Sequence, residues 1–183
     1  MQSRQTSDPV EAAVSAAGRR AQQAARLPPQ TAEPPTKIDI SIAAQRLTVR
    51  RGEETLRSYP VSTSRFGVGV EHGSLKTPLG RFRVAEKIGH GLPSGTIFQS
   101  RVPLASGDPL PTTEDLVMSR ILWLDGLEED NANTRERFIY IHGTKHEDKI
   151  GRPDSHGCIR MRNADVIELF DLVDEETPVV IQE

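Results

Sequence analysis

Short segments in which apolar and polar residues alternate dominate the chain from Lys37 onwards. Ile38-Asp39-Ile40-Ser41-Ile42 alternates with a period of two, and the segments that follow it end at turns rich in glycine and proline. A period of two places successive side chains on opposite faces of a strand, so each segment has one face to bury. The sequence therefore predicts a mostly β fold. Strands are expected at residues 38–42, 47–49, 55–62, 81–84, 121–124, 138–141 and 177–181.

One helix and one long loop interrupt this pattern. Asn163–Val173 is expected to be an amphipathic helix with Asn163 as its N-cap. Gly89–Thr113 contains four glycines and four prolines and is expected to be a long ordered loop. Loops of this length in compact domains usually have a function. The predicted buried face of the helix consists of Val166, Ile167, Phe170 and Val173.

The first 36 residues differ in composition from the rest of the chain. They are rich in alanine, glutamine, arginine and serine, and they contain the pairs Pro28-Pro29 and Pro34-Pro35. Paired prolines force an extended backbone. A hydrophobic content of 36% is also low for a chain that folds throughout. We therefore expect a disordered tail over residues 1–36 and a folded domain over residues 37–183.

Charge and hydropathy exclude two classes of partner. The formal net charge is −3, whereas a nucleic-acid-binding protein normally presents a basic face. No stretch approaches the roughly 20 apolar residues that a transmembrane helix needs. We expect neither a nucleic-acid partner nor a membrane span. Residues 1–20 also lack the apolar segment of a secretory signal peptide.

The single cysteine, Cys158, is the strongest candidate for chemistry. It lies in the run Ser155-His156-Gly157-Cys158-Ile159-Arg160-Met161, and His142 lies upstream in Ile141-His142-Gly143-Thr144. Because a free thiol has a pKa near 8.5, it needs a neighbouring imidazole to take its proton or stabilise the thiolate. Gly157 leaves the backbone unshielded, so the amides of Gly157 and Cys158 are expected to bind a developing oxyanion.

The same residues allow other interpretations. Cys158 alone is compatible with a small buried hydrophobe. Arg160, just after the cysteine, is expected to hold a substrate carboxylate with its guanidinium fork, or else to form a structural ion pair. His72, His90 and His146 are expected to be exposed loop histidines. An alternative is a zinc site, whose ligands would be His142, His146, His156 and Cys158. The expected position of His142 at the end of a strand disfavours it.

These motifs together resemble the YkuD family of L,D-transpeptidases. The resemblance rests on the two runs around His142 and Cys158 and on Lys76-Thr77-Pro78-Leu79-Gly80-Arg81-Phe82, and it spans roughly residues 37–182. It implies a YkuD-type β-sandwich or partly closed barrel with one helix after the catalytic cysteine. Residues 37–183 would then be the catalytic domain.

The resemblance also implies a mechanism. Cys158 would attack the carbonyl between the third residue and the terminal D-Ala of a peptidoglycan tetrapeptide, and an amine of a second stem would resolve the thioester into a 3-3 cross-link. His142 would be the proton donor and acceptor, oriented by the carbonyl of Gly143, while His156 and Gly157 would line the oxyanion site. The loop of residues 89–113 would form a lid. Substrate contacts are expected from Arg160, Ser155 and Thr144.

Several alternatives stay open at this level. Water in place of the amine would make the same site an L,D-carboxypeptidase, and an envelope protein as acceptor would be attached to peptidoglycan. A non-catalytic cell-wall binding module is a third alternative. The resemblance implies peptidoglycan stem peptides as partners, with no cofactor and no metal. It places the protein in the periplasm or cell envelope, with the cytoplasm as the alternative; the oligomeric state is unknown from sequence.

Overall fold

The computed structural model describes residues 34–112 and 115–183. Pro34–Glu183 forms a compact unit, and its first strand begins at Thr36, one residue before the predicted boundary. The tail predicted for residues 1–36 lies outside the described residues up to Glu33. The strands are β1 (Thr36–Ser41), β2 (Arg46–Arg51), β3 (Glu54–Pro60), β4 (Gly80–Ile88), β5 (Ile97–Gln99), β6 (Val102–Pro103), β7 (Val117–Gly126), β8 (Tyr140–Gly143), β9 (Ile159–Met161) and β10 (Pro178–Gln182), and the helix is α1 (Asn163–Leu172).

All ten strands belong to one sheet in the described part of the chain. Its main path runs β3-β2-β1-β10-β4-β7-β5-β6, and β8 joins β7 while β9 joins β8. The pairs β1–β10 and β8–β9 are parallel, and the other paired strands are antiparallel. The mostly β fold with one helix after the cysteine is confirmed.

The sheet comes closest to closing just after β3. Ser62 and Arg160 of β9 exchange two backbone hydrogen bonds of 2.9 Å each, and Ser64 forms a second isolated bridge with Ser155. Two isolated bridges in place of a continuous ladder leave the sheet open. The sheet is therefore a barrel that closes only in part. The two bridges bring the segment after β3 against the segment that carries Cys158.

The main apolar core includes one face of the sheet and the helix α1. Ile38 and Ile40 of β1 are fully buried, as the alternating pattern predicts. On α1 the buried residues include Leu169, whereas Ile167 is only half-buried and its predicted core position is wrong. Residues spaced i, i+3 and i+4 form a narrower stripe along the helix than the predicted buried face, which included Ile167. That stripe consists of Val166, Leu169, Phe170 and, just past the helix, Val173.

A smaller apolar cluster lies on the opposite face of β8. Tyr140 belongs to this cluster, whereas Ile141 belongs to the main core, as alternation along a strand requires. Cys158 packs against the smaller cluster. The fully or nearly buried members of this cluster are Phe98, Ile121, Trp123 and Tyr140.

The expected long loop after β4 contains structure of its own. β5 and β6 pair antiparallel and form a short hairpin within residues 97–103, so a loop without strands was wrong for this stretch. Thr113, the predicted end of the loop, lies outside the described residues. In the described part, no helix is both long and apolar enough to cross a membrane.

Candidate active site

Cys158 lies just before β9 and is held by β8 and the residues that precede it. Its Sγ donates a hydrogen bond to the carbonyl oxygen of Phe138 at 3.3 Å and accepts one from the Tyr140 amide at 3.4 Å. Because β8 and β9 run parallel with Ile141 opposite Ile159, the preceding residues of both strands are also neighbours. Two paired strands therefore fix the position of the thiol.

His142 is buried in the middle of β8. Its Nδ1 lies 2.7 Å from the carbonyl oxygen of Gly143. A carbonyl can only accept, so Nδ1 carries the hydrogen and Nε2 of the neutral ring is the acceptor. Nε2 is buried and has no hydrogen-bond partner among the described residues. The ring is thus oriented with one basic nitrogen available to take a proton.

The thiol and the imidazole share one face of the sheet. Tyr140 and Cys158 meet in the smaller apolar cluster, and His142 is two residues beyond Tyr140 on β8. Residues two apart on a strand project from the same face. The sequence placed Cys158 and His142 in separate motifs, and the parallel pairing of β8 and β9 brings them together.

Burial sets the protonation of this pair. Desolvation raises the pKa of the Cys158 thiol to about 12, against the opposing effects of the Tyr140 amide and nearby arginines. Desolvation also lowers the pKa of His142 from its ordinary value. Both shifts favour the neutral form. Burial thus favours a neutral thiol and a neutral imidazole before a substrate binds.

The loop before the cysteine is tied together by Ser155. Ser155 Oγ accepts a hydrogen bond from the Gly157 amide at 3.2 Å and donates one to the Cys158 carbonyl oxygen at 2.6 Å. The Gly157 amide is thus engaged within the loop in the absence of substrate, and its oxyanion role stays a prediction. Ser155 is fully buried, so its predicted substrate contact is replaced by a contact within the loop.

Gly157 itself is required by its backbone and by its surroundings. Its φ is +120°, a conformation that other residues rarely adopt. A Cβ at this position would lie 3.3 Å from Ile139 Cδ1 and 3.3 Å from the Lys76 carbonyl oxygen. The glycine lets the nucleophile loop pass close to both segments.

The guanidinium group of Arg160 is not free to bind a substrate. Its side chain is 2% exposed and forms ion pairs with Asp115 at 2.7 Å and Asp154 at 2.9 Å. The predicted carboxylate-binding role is therefore wrong, and the structural ion pair that the sequence left open is what forms. Sequence reasoning did not single out either aspartate, because each lies in a loop and meets Arg160 only in the folded chain.

Gly143 and Thr144 lie at the end of β8 and contact the start of α1. Thr144 is fully buried; its Oγ1 accepts a hydrogen bond from the His146 amide at 3.1 Å, and its carbonyl oxygen accepts one from Asn163 Nδ2 at 2.9 Å. The predicted substrate contact of Thr144 is therefore wrong. A Cβ on Gly143 would lie 2.5 Å from Asn163 Oδ1. Asn163 is the first residue of α1, and Arg162, not Asn163, occupies the N-cap.

His156 stands at the wall between two cavities. Its Nε2 lies 2.8 Å from Arg65 Nη2, and its ring centroid lies 5.8 Å from that of Phe66. It lines a cavity of about 320 Å³ on one side and one of about 210 Å³, with Phe138, on the other. His156 is thus half-buried and open to a ligand, while its oxyanion role stays a prediction.

The hairpin formed by β5 and β6 lies over the aromatic residues beside the thiol. Arg101, at the turn, donates a hydrogen bond to Tyr140 Oη at 3.3 Å. Its guanidinium lies 4.5 Å from the ring centroid of Trp123 and 5.4 Å from that of Phe138. The position is compatible with the predicted lid, which stays a prediction.

The remaining histidines occupy separate positions. His72 and His90 are exposed, as predicted, and His146 is half-buried at the start of the 3₁₀ turn Glu147–Lys149. Within residues 34–112 and 115–183, no group of three or more His, Cys, Asp or Glu side chains is arranged to hold a metal ion. The ligand set of the zinc alternative is therefore not assembled.

Comparisons with known proteins agree on one family. The family model YkuD, described as the L,D-transpeptidase catalytic domain, matches residues 35–181. The Bacillus subtilis (strain 168) protein YkuD, provisionally named an L,D-transpeptidase, is 29% identical over 147 residues, which cover 80% of this chain and 66% of that protein. The chain thus spans just under two thirds of that relative's length.

Solved structures show the same fold. An L,D-transpeptidase from Xylanimonas cellulosilytica has a TM-score of 0.55 at 19% identity, covering 90% of this chain and 68% of that one. L,D-transpeptidase 3 from Mycobacterium tuberculosis, solved with a faropenem-derived adduct, has a TM-score of 0.54 at 21% identity, covering 82% and 61%. At these identities the likeness concerns the fold alone.

Proposed function

The chain belongs to the YkuD family of L,D-transpeptidase catalytic domains, and we propose that it cross-links peptidoglycan stem peptides through a thioester on Cys158. One observation carries the proposal. The Cys158 thiol shares a face of the sheet with His142, whose buried Nε2 lacks a partner in the described part of the chain. A nucleophile and an oriented base are the two groups that acyl transfer needs first.

In the first half-reaction the neutral pair acts in concert. The proton of Cys158 Sγ passes to His142 Nε2 as the sulfur attacks the carbonyl carbon that joins the third stem residue to the terminal D-Ala. The C–N bond then breaks, and D-Ala leaves as a free amine after receiving the proton from His142. The acyl group remains on Sγ as a thioester. Delaying ionisation of the thiol until attack is consistent with its raised pKa.

In the second half-reaction His142 takes a proton from the attacking amine and returns it to the sulfur. The side-chain amine of a diaminopimelate on a second stem attacks the thioester carbonyl and loses a proton to Nε2. The C–S bond breaks, Sγ regains that proton, and the new amide is the 3-3 cross-link. Because peptidoglycan lies outside the cytoplasmic membrane, the periplasm or cell envelope is part of this proposal.

Intact-protein and product mass spectrometry after incubation with a disaccharide-tetrapeptide tests the proposal. Wild-type protein is expected to give a thioester adduct and a cross-linked dimer that lacks one D-Ala, and Cys158→Ala is expected to give neither. Circular dichroism of the variant controls for folding.

The other outcomes have distinct meanings. Tripeptide without dimer would replace the transpeptidase by an L,D-carboxypeptidase. Acylation that is resolved only by an added envelope protein would make the acceptor a protein. Turnover by Cys158→Ala would refute the assignment of the nucleophile, and the absence of both adduct and product would favour a binding module.

A further inference from the structure

A basic cavity of about 320 Å³ adjoins the nucleophile loop and has no part in the mechanism described above. It is lined by Arg65, Lys145 and Lys149, together with Asp154 and the buried Arg160, and His156 forms its wall. The cationic side chains come from three separate segments of the chain. Only the tertiary structure places their charges around one space.

The positive charges in this cavity exceed the negative ones. Among the described residues, Asp154 is the one acidic side chain that lines it, and it is already paired with Arg160 at 2.9 Å and with Lys149 at 3.7 Å. Asp115 lies next to the cavity, 2.7 Å from Arg160 and 3.8 Å from His156. Lys145 forms no ion pair or hydrogen bond with any residue that the structure describes. Arg65 forms no ion pair with a described residue; its Nη2 contacts the ring of His156, and its charge also acts on Asp154. Lys145 and Arg65 are therefore available to an anionic ligand, and Lys149, which lies 3.7 Å from Asp154, lines the same cavity beside them.

The cavity lies within reach of a peptide bound at Cys158. Arg160 is two residues after Cys158, which corresponds to roughly 7 Å along a strand, and it projects from the same face of the sheet. On the other side of His156 is the cavity that contains Phe138, whose carbonyl oxygen accepts the thiol hydrogen bond. One side chain thus separates the basic cavity from the surroundings of the nucleophile.

Resting on the proposed function, we propose that this cavity binds a carboxylate of the acyl-donor stem, other than that of the terminal D-Ala, through Lys145, Lys149 and Arg65. Two carboxylates of a tetrapeptide stem have the required reach: the distal carboxylate of diaminopimelate and the α-carboxylate of the γ-linked glutamate. The distal carboxylate of diaminopimelate is separated from the scissile carbonyl by about six bonds and the glutamate α-carboxylate by about seven, or roughly 7–9 Å when extended. The terminal D-Ala carboxylate lies closer to that carbonyl and departs with the first product.

Binding without turnover gives the sharpest test. All proteins carry Cys158→Ala, so the dissociation constant of a tetrapeptide can be measured by calorimetry whether or not the enzyme is active. The variants are Lys145→Gln with Lys149→Gln, and the matched control is Lys37→Gln, because Lys37 pairs with Asp39 as Lys149 pairs with Asp154 but does not line the cavity. We expect the double variant to weaken binding by about tenfold, the scale of one or two charge-assisted contacts, and the control to bind as the parent.

Three peptides identify the carboxylate: the free tetrapeptide, one amidated at the distal carboxylate of diaminopimelate, and one amidated at the α-carboxylate of glutamate. The peptide whose amidation removes the difference between parent and double variant carries the bound group. Equal weakening of all three peptides, or no weakening of any, would overturn the inference. Failure of the transpeptidase proposal would appear separately, as the lack of an adduct on the unmodified Cys158.

Discussion

Thr77 Oγ1 donates a hydrogen bond of 2.9 Å to the carbonyl oxygen of Gly157, and so joins two loops that are 80 residues apart in the sequence. The same oxygen accepts a hydrogen bond of 3.0 Å from the Ser64 amide. Thr77 is fully buried. A single hydroxyl thus connects the segment after β3, the segment before β4 and the nucleophile loop.

Replacing Thr77 by valine is expected to loosen the nucleophile loop. Thr77→Val keeps the shape of the side chain but leaves a buried amide and a buried carbonyl without their partner, at a cost of about 1–3 kcal/mol. The free energy of unfolding is measured by urea denaturation, and the acylation rate of Cys158 by mass spectrometry. Thr77→Ser, which keeps the hydroxyl, is expected to lose less of both; equal losses would show that the hydroxyl is not the connecting group.

Removing the imidazole of His142 is expected to slow acylation. His142→Gln should reduce the rate by about 10²–10⁴, the range for loss of a general acid or base. The rate is followed as formation of the Cys158 adduct with a tetrapeptide. His90→Gln is the control, because His90 is exposed and its ring contacts Phe170 instead of the site. A wild-type rate in His142→Gln would exclude it as the base.

The raised pKa of the thiol predicts slow alkylation at neutral pH. Iodoacetamide reacts with the thiolate, and a group with a pKa of about 12 is almost wholly protonated at pH 8. The alkylation rate of the folded protein should therefore rise about tenfold for each pH unit between pH 6 and 10, without a plateau. In guanidinium chloride the same thiol should level off near its ordinary pKa of about 8.5. A plateau in the folded protein below pH 8 would contradict the neutral pair.

The ion pairs of Arg160 predict a large stability cost when it is replaced. Arg160→Met leaves Asp115 and Asp154 without the guanidinium that lies against both, and breaking a buried pair in this way costs about 3–5 kcal/mol. The matched control is Arg57→Met, because the Arg57–Glu168 pair is about half-exposed on both sides. Its expected cost is much smaller, because solvent screens an exposed ion pair. Chemical denaturation of both variants gives the comparison, and similar costs would mean that Arg160 is not a structural residue.

Local patterns predicted the elements of the fold well, and their pairing less well. Alternation over residues 38–42 fixed both the strand and its buried face, because the period of a strand is a property of the local backbone. The helix was also predicted, but its stripe contains Leu169 where Ile167 was expected. The hairpin of residues 97–103 and the strand β9 were missed, because these short strands have no alternation long enough to recognise.

Some residues of the candidate site could be predicted from the sequence, and others could be found only in the folded chain. Cys158 and His142 could be identified from the sequence, because each is a reactive residue type with a glycine next to it in the chain. Thr77 was present in a motif but carried no assigned role. Asp115 was not singled out at all, because nothing near it in the sequence indicates that it meets Arg160.

The sequence by itself thus determined which residues can react and which segments form strands, because both depend on residue type and on neighbours in the chain. Only the tertiary structure decided which polar groups remain available for chemistry. The Gly157 amide, the Ser155 hydroxyl and the Arg160 guanidinium are each engaged by a partner inside the fold. Buried polar groups must be paired, and the partner is chosen by the packing of segments that are distant in the sequence.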